Sequence, residues 1–132
     1  MRSDNPAMSD PSNNQKSRSF RVTGLPGDGI GPEVYESACS VLSAMEETHG
    51  LQLTLDEQLI GGAAIDATGD PLPAETIEAC RNSDAALLGA VGGPQWDGNP
   101  AHQRPELGLL RIRAEFNLFC NLRPIVTHPS LH

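Results

Sequence analysis

Residues 24–34 read Gly-Leu-Pro-Gly-Asp-Gly-Ile-Gly-Pro-Glu-Val. They follow an apolar run, Phe20 to Leu25, and precede a segment with helical spacing, so they form a glycine-built turn from strand to helix. A turn of this kind cradles a dinucleotide pyrophosphate when its spacing is G-x-G-x-x-G, the third glycine letting helix and strand approach closely. Counted from Gly27, the third glycine falls on position 32, which is proline, and Gly31 comes one place early. Asp56 is a poor candidate for the acidic residue expected about 20 positions further on. The stretch therefore reads as a sharp redirection of the chain and not as an ordinary pyrophosphate cradle.

Outward from this turn, strands and helices alternate. Pro32 suits the first turn of a helix, Glu33 favours that end electrostatically, and Gly50 closes it. Val34, Ala38, Val41, Leu42 and Met45 recur at helical spacing and are expected to face a sheet. Leu51, Leu53 and Leu55 alternate as in a strand with one covered face, and Gly61-Gly62 breaks it. Residues 63–73 read as a short helix or turn followed by a proline-marked loop. The next helix runs from Pro73 to Arg81 with Ile77 and Cys80 inward. "AALLGAV" (85–91) is continuously apolar, the pattern of a strand buried on both faces. Gly92-Gly93-Pro94 stops it, and the long connection that follows hints at function. Residues 106–117 are helical in pattern, and 118–126 look like a further strand. The alternation predicts an α/β sandwich with a largely parallel sheet.

The 132 residues carry a formal charge of −8, which argues against a nucleic-acid or anionic-membrane surface. No apolar run approaches the ~20 residues of a membrane span. Residues 1–18, rich in Ser, Asn and Pro, read as a disordered tail without the apolar core of a secretory signal, and the expected location is cytoplasmic. Cys39, Cys80 and Cys120 are odd in number and far apart, so they read as buried thiols in a reducing compartment. The four histidines show no ligand spacing.

The charge is uneven: residues 1–103 balance at −10, whereas 104–132 carry Arg104, Arg111, Arg113 and Arg123 against Glu106 and Glu115, a balance of +2. Such a cationic island either attracts a small anionic ligand or is the solvated face of a helix. On a helix, Glu106, Leu109, Leu110 and Arg113 share one face, Arg111 points roughly opposite, and Arg123 on the following strand can converge on Arg113 from another direction. Two guanidiniums suit a dicarboxylate, because each grips a carboxylate through paired hydrogen bonds. The competing reading leaves Glu106 and Arg113 as surface residues of an ordinary helix.

Four segments, "LPGDGIGPEV", "GGAAIDATGDPLP", "LLGAVGGPQWD" and "RPELGLLRIR" with "NLRP" downstream, together resemble the isopropylmalate branch of the β-decarboxylating dehydrogenase family. The resemblance runs from about Arg21 to Pro124. It implies a fold that is not Rossmann, in keeping with the failed fingerprint. It implies NAD-dependent oxidation and decarboxylation of 3-isopropylmalate in leucine biosynthesis, with Mg²⁺ or Mn²⁺, by a homodimer. Arg113 and Arg123 match two substrate-binding arginines, and Leu109 and Leu110 match contacts to the isopropyl group. Glu106 matches an acidic residue beside nicotinamide and substrate. Gly93, Pro94, Gln95, Trp96 and Asp97 belong to a loop that contacts NAD, and Ile30 matches a position near the cofactor. Gln95, Ala114 and Cys120 depart from the usual residues without removing a role.

The resemblance also implies an amino-terminal fragment: 19–117 as the first half of domain one, and 118–132 as the opening strand of a second domain. The metal ligands and the catalytic acid/base then lie outside this sequence. Two alternatives stand beside this reading, a sister dehydrogenase acting on tartrate, homoisocitrate or another malate analogue, and a non-catalytic truncated product.

Overall fold

The computed structural model describes residues 18–126 and 130. Strand β1 (Arg18–Gly27) leads through the glycine turn into helix α1 (Gly31–His49), and β2 (Leu51–Glu57) follows. Two short helices, α2 (Gly62–Thr68) and α3 (Ala74–Arg81), precede β3 (Ala85–Ala90), and helix α4 (Pro105–Glu115) completes the set. The strands form one parallel sheet in the order β2-β1-β3, with Phe20 opposite Leu53 and Leu25 opposite Leu88.

The chain's punctuation places these boundaries. Pro32 lies in the first turn of α1, and Gly50 caps the far end in the left-handed conformation (φ 63°), its N–H donating to the Glu46 carbonyl. Gly69 ends α2 in the same way.

Opposite faces of β1 meet opposite layers. On one face Gly24 leaves room for Tyr35 of α1, since an added Cβ would lie 2.0 Å from the tyrosine hydroxyl. On the other, Leu25 joins Ile60, Leu72 and Ile112 in a buried cluster, with Ile77, Cys80, Leu88, Leu109 and Phe116 packed around it. Helix α1 thus covers one face, and α3 and α4 cover the other. Thr76 is buried and donates to the Leu59 carbonyl at 2.6 Å, tying α3 to the chain after β2.

Four expectations change. The inward side of α1 is formed by Tyr35, Ala38, Cys39 and Leu42, while Val34, Val41 and Met45 are exposed. The bulky Tyr35 beneath Gly24 rotates the helix so that this side meets the sheet. Strand β3 is exposed at Ala85 and Ala86 and half-buried thereafter, because it is an outer strand of the described sheet and only partly covered. Residues 118–126 form no strand and are exposed throughout, having no neighbour among the described residues with which to pair, so Cys120 is exposed and not the buried thiol expected. Of the tail expected over 1–18, Arg18 begins β1, and residues 1–17 lie outside those described.

Candidate functional site

Parallel strands deliver their carboxyl ends to one edge of the sheet. Because β2 and β3 flank β1 on opposite sides, the gap between the ends of β1 and β3 is a topological switch point, where α/β sheets bind ligands. Backbone meets backbone there. A Cβ on Gly27 (φ 77°) would lie 1.8 Å from the Ala90 carbonyl oxygen, and one on Gly31 would lie 2.3 Å from that of Pro26. Glycine at both positions is therefore a steric requirement of the turn.

Between them stands Asp28, which sequence reasoning missed. It is 5% exposed. One carboxylate oxygen accepts from Gly62 N–H at 2.5 Å and the other from Gly92 N–H at 2.6 Å. Its own N–H donates to the Ala90 carbonyl at 3.0 Å, and its carbonyl accepts from Gly31 N–H at 2.8 Å. The only sequence signal was an acidic residue inside a glycine turn; its partners lie 34 and 64 residues away.

The loop after β3 carries five of the predicted cofactor residues. Gly93 is half-buried, Pro94, Gln95 and Asp97 are exposed, and residues 94–96 wind into a single 3₁₀ turn. Trp96 is instead buried: its indole N–H donates to Asp66 at 3.0 Å, and its ring covers Gly62, where an added Cβ would come within 2.3 Å. It seats the loop on α2. Glu106 opens α4 beside this loop, and a Cβ on Gly92 would lie 2.9 Å from its Oε1. Ile30 projects from the facing turn and is exposed. Ile30, Gly93–Asp97 and Glu106 thus gather around the carboxyl edge.

The predicted substrate residues divide. Glu106, Leu110 and Arg113 form an exposed face of α4, whereas Leu109 is half-buried and packs on the core cluster. Leu109 and Arg113 line an apolar cleft of about 440 Å³ with Leu88, Ile112, Phe116 and Leu118. Leu110 stays outside it. Arg123 lies in the exposed stretch and donates to Asn121 at 3.4 Å, and no contact joins it to Arg113 among the described residues. Arg111, read as pointing away, pairs with Asp70 and donates to the Leu72 carbonyl at 3.3 Å, fastening α4 to the chain before α3.

Three groups titrate away from their ordinary values. Burial pushes the Asp70 carboxyl up, but the Leu72 N–H and the Arg111 guanidinium outweigh it and hold the pKa below the usual value. Burial raises the Cys80 thiol, with Asp56 adding to the rise and a hydrogen bond with Thr23 opposing it. Burial, reinforced by Cys39 and Glu57, raises the Tyr35 hydroxyl, which has no hydrogen-bond partner among the described residues. No group of three or more His, Cys, Asp or Glu side chains among the described residues could hold a metal ion. No described helix is long and apolar enough to cross a membrane.

Residues 21–132 match the family model for isocitrate/isopropylmalate dehydrogenase. The chain belongs to that family. Among the curated isocitrate/isopropylmalate dehydrogenase relatives, the 3-isopropylmalate dehydrogenase of Bacillus caldotenax is 57% identical over 112 residues, covering 85% of this chain and 31% of the relative. That of Nostoc sp. is 54% identical over 114 residues, covering 86% of this chain and 32% of the relative. The chain therefore spans about a third of the length of these relatives. The fold is that of the same family. A β-decarboxylating dehydrogenase from Thermococcus kodakarensis aligns with a TM-score of 0.60 and 33% identity, over 75% of this chain and 27% of that one. An isocitrate dehydrogenase from Methylococcus capsulatus gives 0.52 and 33%, over 61% of this chain and 22% of that one.

Proposed function

We propose that this segment supplies the dinucleotide-facing edge and part of the substrate grip of an NAD-dependent 3-isopropylmalate dehydrogenase. The observation that carries the reading is the course of α4. Its first turn carries Glu106 beside the Gly92 end of the loop and its last turn carries Arg113, so one rigid element links the two functions. The crevice suits close approach by a dinucleotide, since it is lined by backbone at Gly29 and Gly92, where side chains would intrude.

Ile30, Gly93, Pro94, Gln95 and Asp97 would face the cofactor, with Trp96 holding their loop in place. NAD, when bound, accepts a hydride from C2 of the substrate. Glu106 lies between cofactor and substrate and presents an acceptor to hydroxyl groups of either. Arg113 and Arg123 bind the two carboxylates and orient C2, a task in which small misplacements cost large rate factors. Leu110, with Leu109 behind it, offers apolar contact to the branched substituent. The Mg²⁺ or Mn²⁺ of this reading has no donor set among the described residues.

Among the described residues the last long element ends at Glu115, and the exposed stretch begins at Asn117. This supports 19–117 as the first part of one domain and 118 onward as the approach to a second. Homodimeric assembly and a cytoplasmic location belong to the same proposal.

The test is a chimera in which residues 21–126 replace the matching segment of the Bacillus subtilis 3-isopropylmalate dehydrogenase, which is 57% identical over 111 residues. We expect isopropylmalate-dependent NAD reduction. Arg113→Ala or Arg123→Ala should lower kcat/KM by on the order of 100-fold or more. Undiminished turnover in either variant removes the substrate assignment. Preference for malate, tartrate or isocitrate over isopropylmalate moves the chain to a sister activity. A folded but inactive chimera favours a non-catalytic product.

A further inference from the structure

The glycine turn that fails as a dinucleotide fingerprint has a function of its own. Asp28 sits between Gly27 and Gly29, both with positive φ (77° and 59°), so the backbone can turn its carboxylate inward. All four of its backbone and side-chain bonding positions are used. The N–H and C=O close the turn itself, and the two carboxylate oxygens reach Gly62 at the start of α2 and Gly92 at the exit of β3. Those two glycines are the anchors of the loop. Gly62 carries the Trp96 ring, Asp66 one turn later in α2 holds its N–H, and Gly92 lies against Glu106. One carboxylate thus spans the switch-point crevice and fixes the loop at its root and, through α2, at its middle.

We propose that Asp28 is a positioning residue, a bidentate clamp that sets the Gly92–Asp97 loop and the start of α4 relative to the β1 turn. For the dehydrogenase its consequence rests on the function proposed above, but the clamp can be read without any activity. An aspartate is needed because both targets are N–H donors. Asparagine keeps one acceptor oxygen and turns an NH₂ toward the other donor. Glutamate is a methylene too long for so enclosed a position.

Trp96 is the chain's single tryptophan, so its emission reports this seat directly. In the 132-residue chain, the amides of Gly62 and Gly92 should exchange slowly with solvent although neither belongs to a strand ladder. In Asp28→Asn, one of the two should lose protection by roughly tenfold or more while the other keeps it. In Asp28→Ala both should lose it, and Trp96 emission should shift to the red with greater quenching by acrylamide. Selective loss at these two amides, with β1 and β2 amides unchanged, supports the clamp.

Equal loss across the sheet marks a merely structural residue and overturns the proposal. So does unchanged exchange at both glycines, or fast exchange at both in the unsubstituted chain; that last measurement stands even if neither variant folds. In the chimera, Asp28→Asn should raise the KM for NAD several-fold more than it lowers kcat. An inactive unsubstituted chimera would remove the dehydrogenase reading and leave the exchange result standing.

Discussion

At the carboxyl edge of the sheet, turns are tied by side chains from distant parts of the chain. On the outer flank, from β3 to residues 118–126, an apolar cleft of about 440 Å³ stands open and the following chain is bare, with Phe119 99% exposed. The two regions are joined by one helix, α4, and differ in what holds them. Around the edge, Asp28, Asp66, Thr76 and Arg111 each bond to groups at least 17 residues away in sequence. On the flank, among the described residues, Arg123 bonds to Asn121, two residues away. Residues assigned to the cofactor therefore have their positions set by contacts within this segment. Of the residues assigned to the substrate, Arg113 and Leu110 sit on the exposed face of their helix, and Arg123 is held among the described residues by a near neighbour alone.

The contrast breaks most sharply in the core. Ile60, fully buried at the edge, should cost about 2–5 kcal/mol when changed to Ala. Leu122→Ala, at 85% exposure on the flank, should stay within about 0.5 kcal/mol. Urea midpoints followed by circular dichroism compare the two, and similar losses would mean that the flank is packed after all. Next in size is Gly62→Ala. Its new methyl would press on the Trp96 ring, costing about 1–3 kcal/mol and shifting tryptophan emission. An unshifted spectrum would show that the loop does not rest on α2.

Thiol labelling sharpens the comparison on a smaller scale. Exposed Cys120 should react first at about pH 8, and half-buried Cys80, its thiolate disfavoured by burial, at least ~10-fold more slowly. Mass spectrometry of timed samples gives the order; early labelling of Cys80 would mean that the cleft opens freely.

The smallest effect concerns Asp70 and Arg111. The folded-state pKa of Asp70 is depressed, so the stability it contributes is fully present above the ordinary carboxylate value near about 4 and is lost as pH falls through the lower folded value. Both partners are partly exposed, which limits the loss to about 1 kcal/mol or less. Arg111→Gln should flatten that acid limb of the stability profile, and an unchanged limb would show that the pair contributes nothing.

Much of the fold was legible because its signals are local. Pro32, Gly50 and Gly61 mark element ends by backbone chemistry alone, and α1, α3 and α4 fall close to their predicted spans. The inward side of α1 was not legible, since Val34, Val41 and Met45 satisfy helical spacing as well as the residues that pack. Only the space above Gly24 decides for Tyr35. The strand expected over 118–126 failed for a related reason, because an apolar run suggests a strand but pairing makes one. In the site, the exposed face of Glu106, Leu110 and Arg113 followed from spacing. Leu109 diverged because neighbours on a helix point about 100° apart. Asp28 and the burial of Trp96 were hidden, because a carboxylate bound to backbone N–H groups and an indole seated on a glycine leave no periodic trace.

The strand order has a consequence for how the molecule is made. Strand β1, central in the described sheet, leaves the ribosome before both of its neighbours, gaining β2 only after Glu57 has emerged and β3 only after Ala90. At about 5–20 residues per second, the interval from Gly27 to Ala90 lasts on the order of 3–12 seconds. Throughout it, at least one hydrogen-bonding edge of the middle strand is open to any passing chain. The strand paired on both sides in the described sheet thus waits through that interval with a bare edge, a point at which a chaperone would protect the growing chain.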